Sequence, residues 1–248
     1  MICAIMQPTY LSWVGYFDLI DQVDTFVFFD NVIFDKRSWQ QRNRILTPRG
    51  LEFLTIPISS KGAYKQLINE TKIESAHFVQ KHLRTIKNNY SKAAYYNDFY
   101  DEFCIVMKDL SQSLSLSELN IGLIKWFCTK FGITTNFITS SKLNTTGNRS
   151  KLLVDILNKV KSNEYITPPG SINYIVEDKE IFDSNSINVY VQNYVPYEYR
   201  QTVSGFTPYA SALDLLLNAG PDCLKIIRQG RSPNTALEEY CQEKNTTN

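Results

Sequence analysis

Histidine is nearly absent from this chain: His77 and His82 are the only two in 248 residues. With no HExxH spacing either, a protein-built metal cage has little material, and no metal is expected. The five cysteines, Cys3, Cys104, Cys128, Cys223 and Cys241, are an odd number without a C-x-x-C pair. That argues against a disulfide scaffold and a zinc ribbon. No apolar run approaches the roughly 18 residues that span a bilayer, and no signal peptide precedes the first strand. No membrane insertion is therefore expected, and a soluble cytoplasmic protein is. An excess of one charge is missing too: 26 Lys and Arg against 25 Asp and Glu leave +1. A general nucleic-acid coat would need a net basic field. No repeat, low-complexity linker or compositional break divides the sequence, so residues 1–248 are read as a single α/β domain.

What the chain does have is aromatic: 15 Tyr and 14 Phe, more tyrosine than a core needs, which fits a pocket that stacks a base or sugar ring. The organising stretch is residues 2–44. Ile2 to Met6 is a short apolar run that predicts a buried strand, and Pro8 stops it. From Ser12, a candidate cap, the apolar positions Trp13, Tyr16, Phe17, Leu19, Ile20 and Val23 recur at helical spacing. This places Asp18, Asp21 and Gln22 on the wet side. Thr25 to Phe29 is a continuous β-branched and aromatic run, a strand covered on both faces. Such a β-α-β crossover makes a parallel sheet, whose ligands sit at the carboxyl ends of strands, here Gln7 to Tyr10 and Asp30 to Phe34.

Directly after that second strand come Lys36, Arg37, Arg42 and Arg44, interleaved with Trp39 and the amides Gln40, Gln41 and Asn43. A solvated basic helical turn is the plain alternative. Guanidinium forks suit phosphate, and an aromatic beside them suits a base or sugar, so phosphate or diphosphate binding is expected here. The Thr47-Pro48-Arg49-Gly50 turn predicts a hairpin-like entry to a strand over Leu51 to Ile58, and Ser59-Ser60-Lys61-Gly62 could add a polar contact. Residues 75–131 read as a helical insertion. His82 within it is the candidate general base, and Asp30 the candidate catalytic carboxylate. The Gly-containing loop from Ser140 to Lys151 offers a second anion site or an ordinary loop. Asn188 to Val191 is the last clear strand. After it come an aromatic loop with Tyr199, then a helix through Leu213 stopped by Gly220, within a C-terminal part spanning about 193–245. Asp214 on that helix sits in an apolar stretch and wants a partner, for which an Arg of the basic segment would serve.

Two resemblances add to these readings. Trp13-Val14-Gly15-Tyr16 falls where the HxGH tetrad of nucleotidyltransferases and class I synthetases would fall. Both histidines are absent, but Gly15 is kept, where a backbone could approach a phosphate. More specifically, QPTYLSWVGYFDLIDQVDTFVFFDNVIFDKRSWQQRNRI, KHLRTIKNNYSKA and FTPYASALDLLLNAGP resemble the WbqC-like family over roughly residues 3–228. The turn at Tyr165 to Gly170, with its extra proline, departs from the family's pattern. The resemblance implies a Rossmann-like three-layer α/β fold of the HUP/nucleotidyltransferase kind, with the helical insertion and the C-terminal helical part. It also implies work on a nucleotide-linked amino sugar, dTDP- or UDP-linked, for surface polysaccharide and O-antigen synthesis. Acyl or aminoacyl transfer, such as glycyl transfer, onto the sugar amine is the most coherent reaction. The donor stays open between aminoacyl-tRNA, acyl-adenylate and acyl-CoA. The positions carried over are Gln7, Pro8, Tyr10, Gly15, Tyr16, Lys36, Arg37, Trp39, Arg42, Asn43, Arg44, Ser211, Asp214 and Asn218, and the residue reading adds Thr9, Trp13 and Tyr199. A degenerate adenylate-forming enzyme and a non-catalytic nucleotide-sugar binding module are the alternatives. The oligomeric state is not legible.

Overall fold

The computed structural model describes residues 1–59 and 65–246, with side chains described as far as Gln242. The polar contact expected from Ser60, Lys61 and Gly62 lies outside them. Ile2–Met6 forms β1 and Thr25–Phe28 forms β2, parallel to it, with helix α1 over Val14–Asp21 between them. Side chains of β1 alternate between two cores: Ala4 enters one, Cys3 and Ile5 the other. A strand covered on both faces reads as an unbroken apolar run for that reason.

The basic segment leads into β3, Arg42–Thr47, which pairs antiparallel with β4, Gly50–Thr55. The Pro48-Arg49 turn closes this hairpin, with Gly50 at φ +102°, a conformation glycine adopts without steric penalty. Three helices follow, α2 (Phe78–Tyr90), α3 (Tyr96–Ser111) and α4 (Leu116–Phe131). α2 ends at Tyr90, with Ser91 as its C-cap. Buried Tyr90 anchors its end by accepting the Leu46 N–H at 2.8 Å. The remaining elements are β5 (Asn136–Thr139), α5 (Arg149–Lys159), β6 (Glu164–Thr167), α6 (Ile172–Glu177), α7 (Lys179–Asp183) and β7 (Asn188–Tyr194). They are followed by α8 (Ala212–Ala219), α9 (Cys223–Gln229), β8 (Arg231–Ala236) and α10 (Leu237–Thr246).

The main sheet has the order β5-β2-β1-β6-β7-β8, parallel except for β8. Helices cover both faces, giving a Rossmann-like α/β fold with a C-terminal helical part. The chain builds outward from β1 through β2 to β5, then returns to β6 on the other side. The direction of winding therefore reverses between β1 and β6, and the crevice at their carboxyl ends is where such sheets bind ligands.

β8 is a strand the sequence conceals. Arg231-Ser232-Pro233-Asn234 is polar and carries a proline, tolerable only on an edge strand, and β8 is that antiparallel edge. Its presence corrects the reading of α1. Asp18 is wholly buried and Asp21 nearly so, not solvated, because β8 and α9 bring two guanidiniums onto them. Arg231 donates to Asp18 at 2.7 Å and Arg228 to Asp21 at 2.9 Å, while Gln192 and Gln22 complete the Asp18 shell. Burial pushes the Asp18 carboxyl above its ordinary pKa. Burial acts the same way on Asp21, but Arg228 and Arg231 outweigh it and hold that carboxyl below its ordinary value. Ser12 does not cap α1 either. Trp13 occupies the cap position and the Ser12 hydroxyl bonds Thr9. Arg231→Met is expected to lower stability in urea unfolding by about 3 kcal/mol, since it leaves Asp18 buried without its cation. A loss below about 1 kcal/mol would show that the pair does not fasten α1.

Candidate functional site

Pro8 ends β1, and the loop that follows is welded to the basic segment some thirty residues further on. The Tyr10 N–H donates to the Trp39 carbonyl at 2.9 Å. Gln40 Nε2 donates to Gln7 Oε1 at 2.7 Å, and Asn43 Nδ2 to the Tyr10 carbonyl at 3.0 Å. From α4, buried Asn120 donates to the carbonyls of both Pro8 (3.1 Å) and Gln40 (2.8 Å). The start of α8 joins the same rim: Ser211 N–H bonds the Arg44 carbonyl and Ala212 N–H the Ser12 carbonyl, both at 2.8 Å.

Two cavities open along this rim and share Met6, Thr9 and Trp39 as a common wall. The first, of about 200 Å³, is aromatic and is closed by Trp13, Tyr16, Asn43, Arg44 and Tyr209. Arg44 Cζ lies 5.3 Å from the Trp39 ring centre, and Trp13 lies 5.5 Å from Tyr209. Arg44 Nε is buried without an acceptor, and Nη2 reaches the Tyr209 carbonyl at 3.5 Å, so the guanidinium is the cation of this cavity's wall. The second cavity, of about 250 Å³, sits at the reversal point between β1 and β6. It presents Gln7, Ser38, Gln40, Ser171 and Tyr174, neutral hydrogen-bonding groups. Gln40 occupies the carbonyl of Gln7, which leaves the Gln7 amide NH2 as the donor there. Burial raises the Tyr174 phenol above its ordinary pKa, so this wall is uncharged at neutral pH.

Of the residues expected from sequence, Gln7, Thr9, Trp13, Tyr16, Trp39, Asn43 and Arg44 meet in these cavities. The others stand elsewhere. Lys36 and Arg37 are exposed on the loop, and Arg42 stacks on Phe53, its Cζ 4.3 Å from the ring centre. Gly15 does not present bare backbone to a phosphate, because the Trp13 indole lies over it: a Cβ there would come within 2.3 Å of that ring. Pro8 and Tyr10 are buried behind the cavities. Ser211 caps α8 through its bond from Leu213 N–H, and Asn218 bonds the Asp214 carbonyl. Asp214 has no guanidinium partner among the described residues. Its carboxylate accepts from Tyr199 (2.6 Å) and Gln201 (2.8 Å), with Tyr90 beside it. Burial raises its pKa, and these hydrogen bonds oppose that rise. The loop weighed as a second anion site turns its groups to carboxylates: Arg149 to Glu177, and Ser150 to Asp178 at 2.7 Å.

His82 and Asp30, the candidate catalytic groups, line neither cavity. His82 Nδ1 lies 2.8 Å from the Tyr10 hydroxyl, and its second bond is to the Thr55 backbone, so it braces the loop from behind. Asp30 fastens the end of β2 to the end of β5 by accepting from Ser141 N–H (3.0 Å) and from the hydroxyls of Ser117, Ser140 and Ser141. Among the described residues, no group of three or more His, Cys, Asp or Glu gathers to hold a metal ion, and no helix is long and apolar enough to cross a membrane.

A model of the WbqC-like protein family matches residues 7–226. The chain belongs to this family. Among curated proteins, uncharacterized protein Rv1507c of Mycobacterium tuberculosis is 36% identical over 230 residues, covering 91% of this chain and 98% of that one. No solved structure matches. Of the three stretches that carry the WbqC-like resemblance, the opening unit with its basic segment and the stretch leading into α8 form the rim, and α2 braces it from behind through His82. The Tyr165 to Gly170 turn contributes Pro168 to the wall of the second cavity. Asn120, Tyr209, Ser171 and Tyr174 escaped the sequence reading. Asn120 could have been suspected as an amide set among the apolar positions of a helix, but Tyr209, Ser171 and Tyr174 carry no local signal.

Burial lowers the His82 pKa to about 4. Below its unfolded value of about 6.5 the unfolded chain takes a proton that the folded chain refuses, so stability falls as pH drops from about 6.5 to 4, by on the order of 3 kcal/mol. Urea unfolding at pH 7, 5.5 and 4.5 should show a smaller decline in His82→Gln than in the wild type. An equal decline in both would place the titration elsewhere.

Proposed function

We propose that the chain is a transferase acting on a nucleotide-linked amino sugar, dTDP- or UDP-linked, in the cytoplasmic assembly of a surface polysaccharide. It would place an acyl or aminoacyl group, such as glycyl, on the sugar amine. The observation that carries this reading is the pair of adjoining cavities along the rim, one aromatic and lined by Arg44, the other lined by neutral amides and hydroxyls. The unprotonated sugar amine, the only nucleophilic form, attacks the acyl carbon of a carrier ester, thioester or adenylate. A C–N bond forms, the bond to the carrier breaks, and the proton lost from nitrogen ends on the departing alcohol or thiol, or in solvent when the leaving group is the nucleoside monophosphate. In this reading His82, through Tyr10, and Asp30, through the strand ends, are positioning residues.

Adenylate formation of the HxGH kind fits less well, since Trp13 covers the glycine that a phosphate would approach. A non-catalytic binding module is favoured by one observation: among the described residues, the cavity walls hold no carboxylate and no histidine. Turnover separates the two readings.

Thermal-shift measurements with a panel of nucleotide sugars, a dTDP-amino sugar first, should show stabilisation. Arg44→Ala should weaken that binding by about 1–3 kcal/mol for the lost charge-assisted bond. The unliganded urea midpoint should move little, since Arg44 makes no ion pair among the described residues and its other contacts, the half-exposed Trp39 ring and the Tyr209 carbonyl at 3.5 Å, are weak. A panel without any stabilising member would remove the substrate from this proposal. Binding without acyl or aminoacyl transfer from any donor class would leave the module.

A further inference from the structure

Neither cavity alone, at about 200 and about 250 Å³, reaches the lower end of the usual size of ligand pockets, roughly 300 Å³. Taken together, as neighbours that share Met6, Thr9 and Trp39, they exceed it, and the two ends differ in chemistry. We infer that the cavities divide the ligand: the aromatic one takes the nucleoside with Arg44 on its phosphates, and the amide-lined one at the reversal point takes the sugar. This division rests on the nucleotide-sugar reading above.

Three observations give the direction. First, Trp39 and Tyr209 are each about half exposed, at 48% and 49%, large rings left in water that line one cavity. A base stacks on such rings whatever its identity. Second, Tyr209 is held at φ +65°, a left-handed conformation that is unfavourable for a residue with a β-carbon. The loop that carries it is fastened on both sides. Gln201 bonds the N–H and carbonyl of Thr207 and reaches Asp214, and Ser211 N–H bonds Arg44. Unfavourable backbone kept in place by such a network is found where a side chain must be presented. Third, the cation and the neutral groups are segregated. Arg44 lines the aromatic cavity with no carboxylate paired to it among the described residues, whereas the second cavity offers the Gln7 amide and the hydroxyls of Ser38, Ser171 and Tyr174. Paired donors and acceptors without charge suit sugar hydroxyls and an amine, and they leave the diphosphate to cross the shared wall.

Isothermal titration of the full chain with UDP and UDP-glucosamine, and with dTDP and a dTDP-amino sugar in parallel, tests the division. Tyr209→Ala should lower affinity for the free diphosphate and for its sugar conjugate by the same factor, about tenfold for a lost stacking ring. Tyr174→Phe should leave diphosphate affinity unchanged and weaken the conjugate about three- to tenfold, as for one neutral hydrogen bond. If Tyr174→Phe weakens both ligands equally, or Tyr209→Ala weakens only the conjugate, the division is overturned and the nucleotide-sugar reading survives. A wild-type chain that binds neither diphosphates nor conjugates ends both.

Discussion

The Tyr10 N–H donates to the Trp39 carbonyl, and the shape of the rim depends on that contact. The β3-β4 hairpin is not part of the main sheet, so no ladder fixes where Arg44 stands relative to β1. Side-chain amides set the register instead. Gln40 holds Gln7, Asn43 holds the Tyr10 carbonyl, and Asn120 holds Pro8 and Gln40 together. Gln40, Asn43 and Asn120 are all buried, where such bonds are stronger than in water and each missing partner is expensive. The proline loop and the arginine-bearing hairpin are therefore held together, ahead of any ligand.

Behind that rim stands a second layer whose polar groups are occupied. His82 supports Tyr10, Asp30 joins two strand ends, and Asp214 gathers the loop that carries Tyr209. Carboxylates and an imidazole are used here for fastening. Rigid support of this kind is what a binding wall needs, because a group displaced by about 1 Å loses much of its effect. α1 is fastened similarly from its far side, by Arg228 and Arg231 on Asp21 and Asp18.

Much of this was legible in the sequence, and the remainder was hidden for definable reasons. The opening β-α-β unit, the hairpin turn at Pro48 and the three central helices follow from local periodicity, which short-range sterics enforce. That Gln7 and Arg44 share a rim followed from the rule for strand ends. Asn120 was not foreseen, because its partners lie 80 or more positions away and no spacing encodes them. Asp18 and Asp21 read as solvated because helical periodicity cannot see β8, whose polar, proline-bearing sequence looks like a loop. Gly15 was expected to admit a phosphate. A bare α-carbon signals close approach without saying by what, and here Trp13 fills the space.

A crystal structure of the chain with bound UDP tests the central claim most directly. The account predicts the base stacked in the cavity that Trp39 and Tyr209 line, with a phosphate oxygen within hydrogen-bonding reach of the Arg44 guanidinium, about 3 Å, and the Tyr10–Trp39 contact unchanged. Diphosphate density away from that rim, or a proline loop and hairpin separated to admit it, would contradict the account.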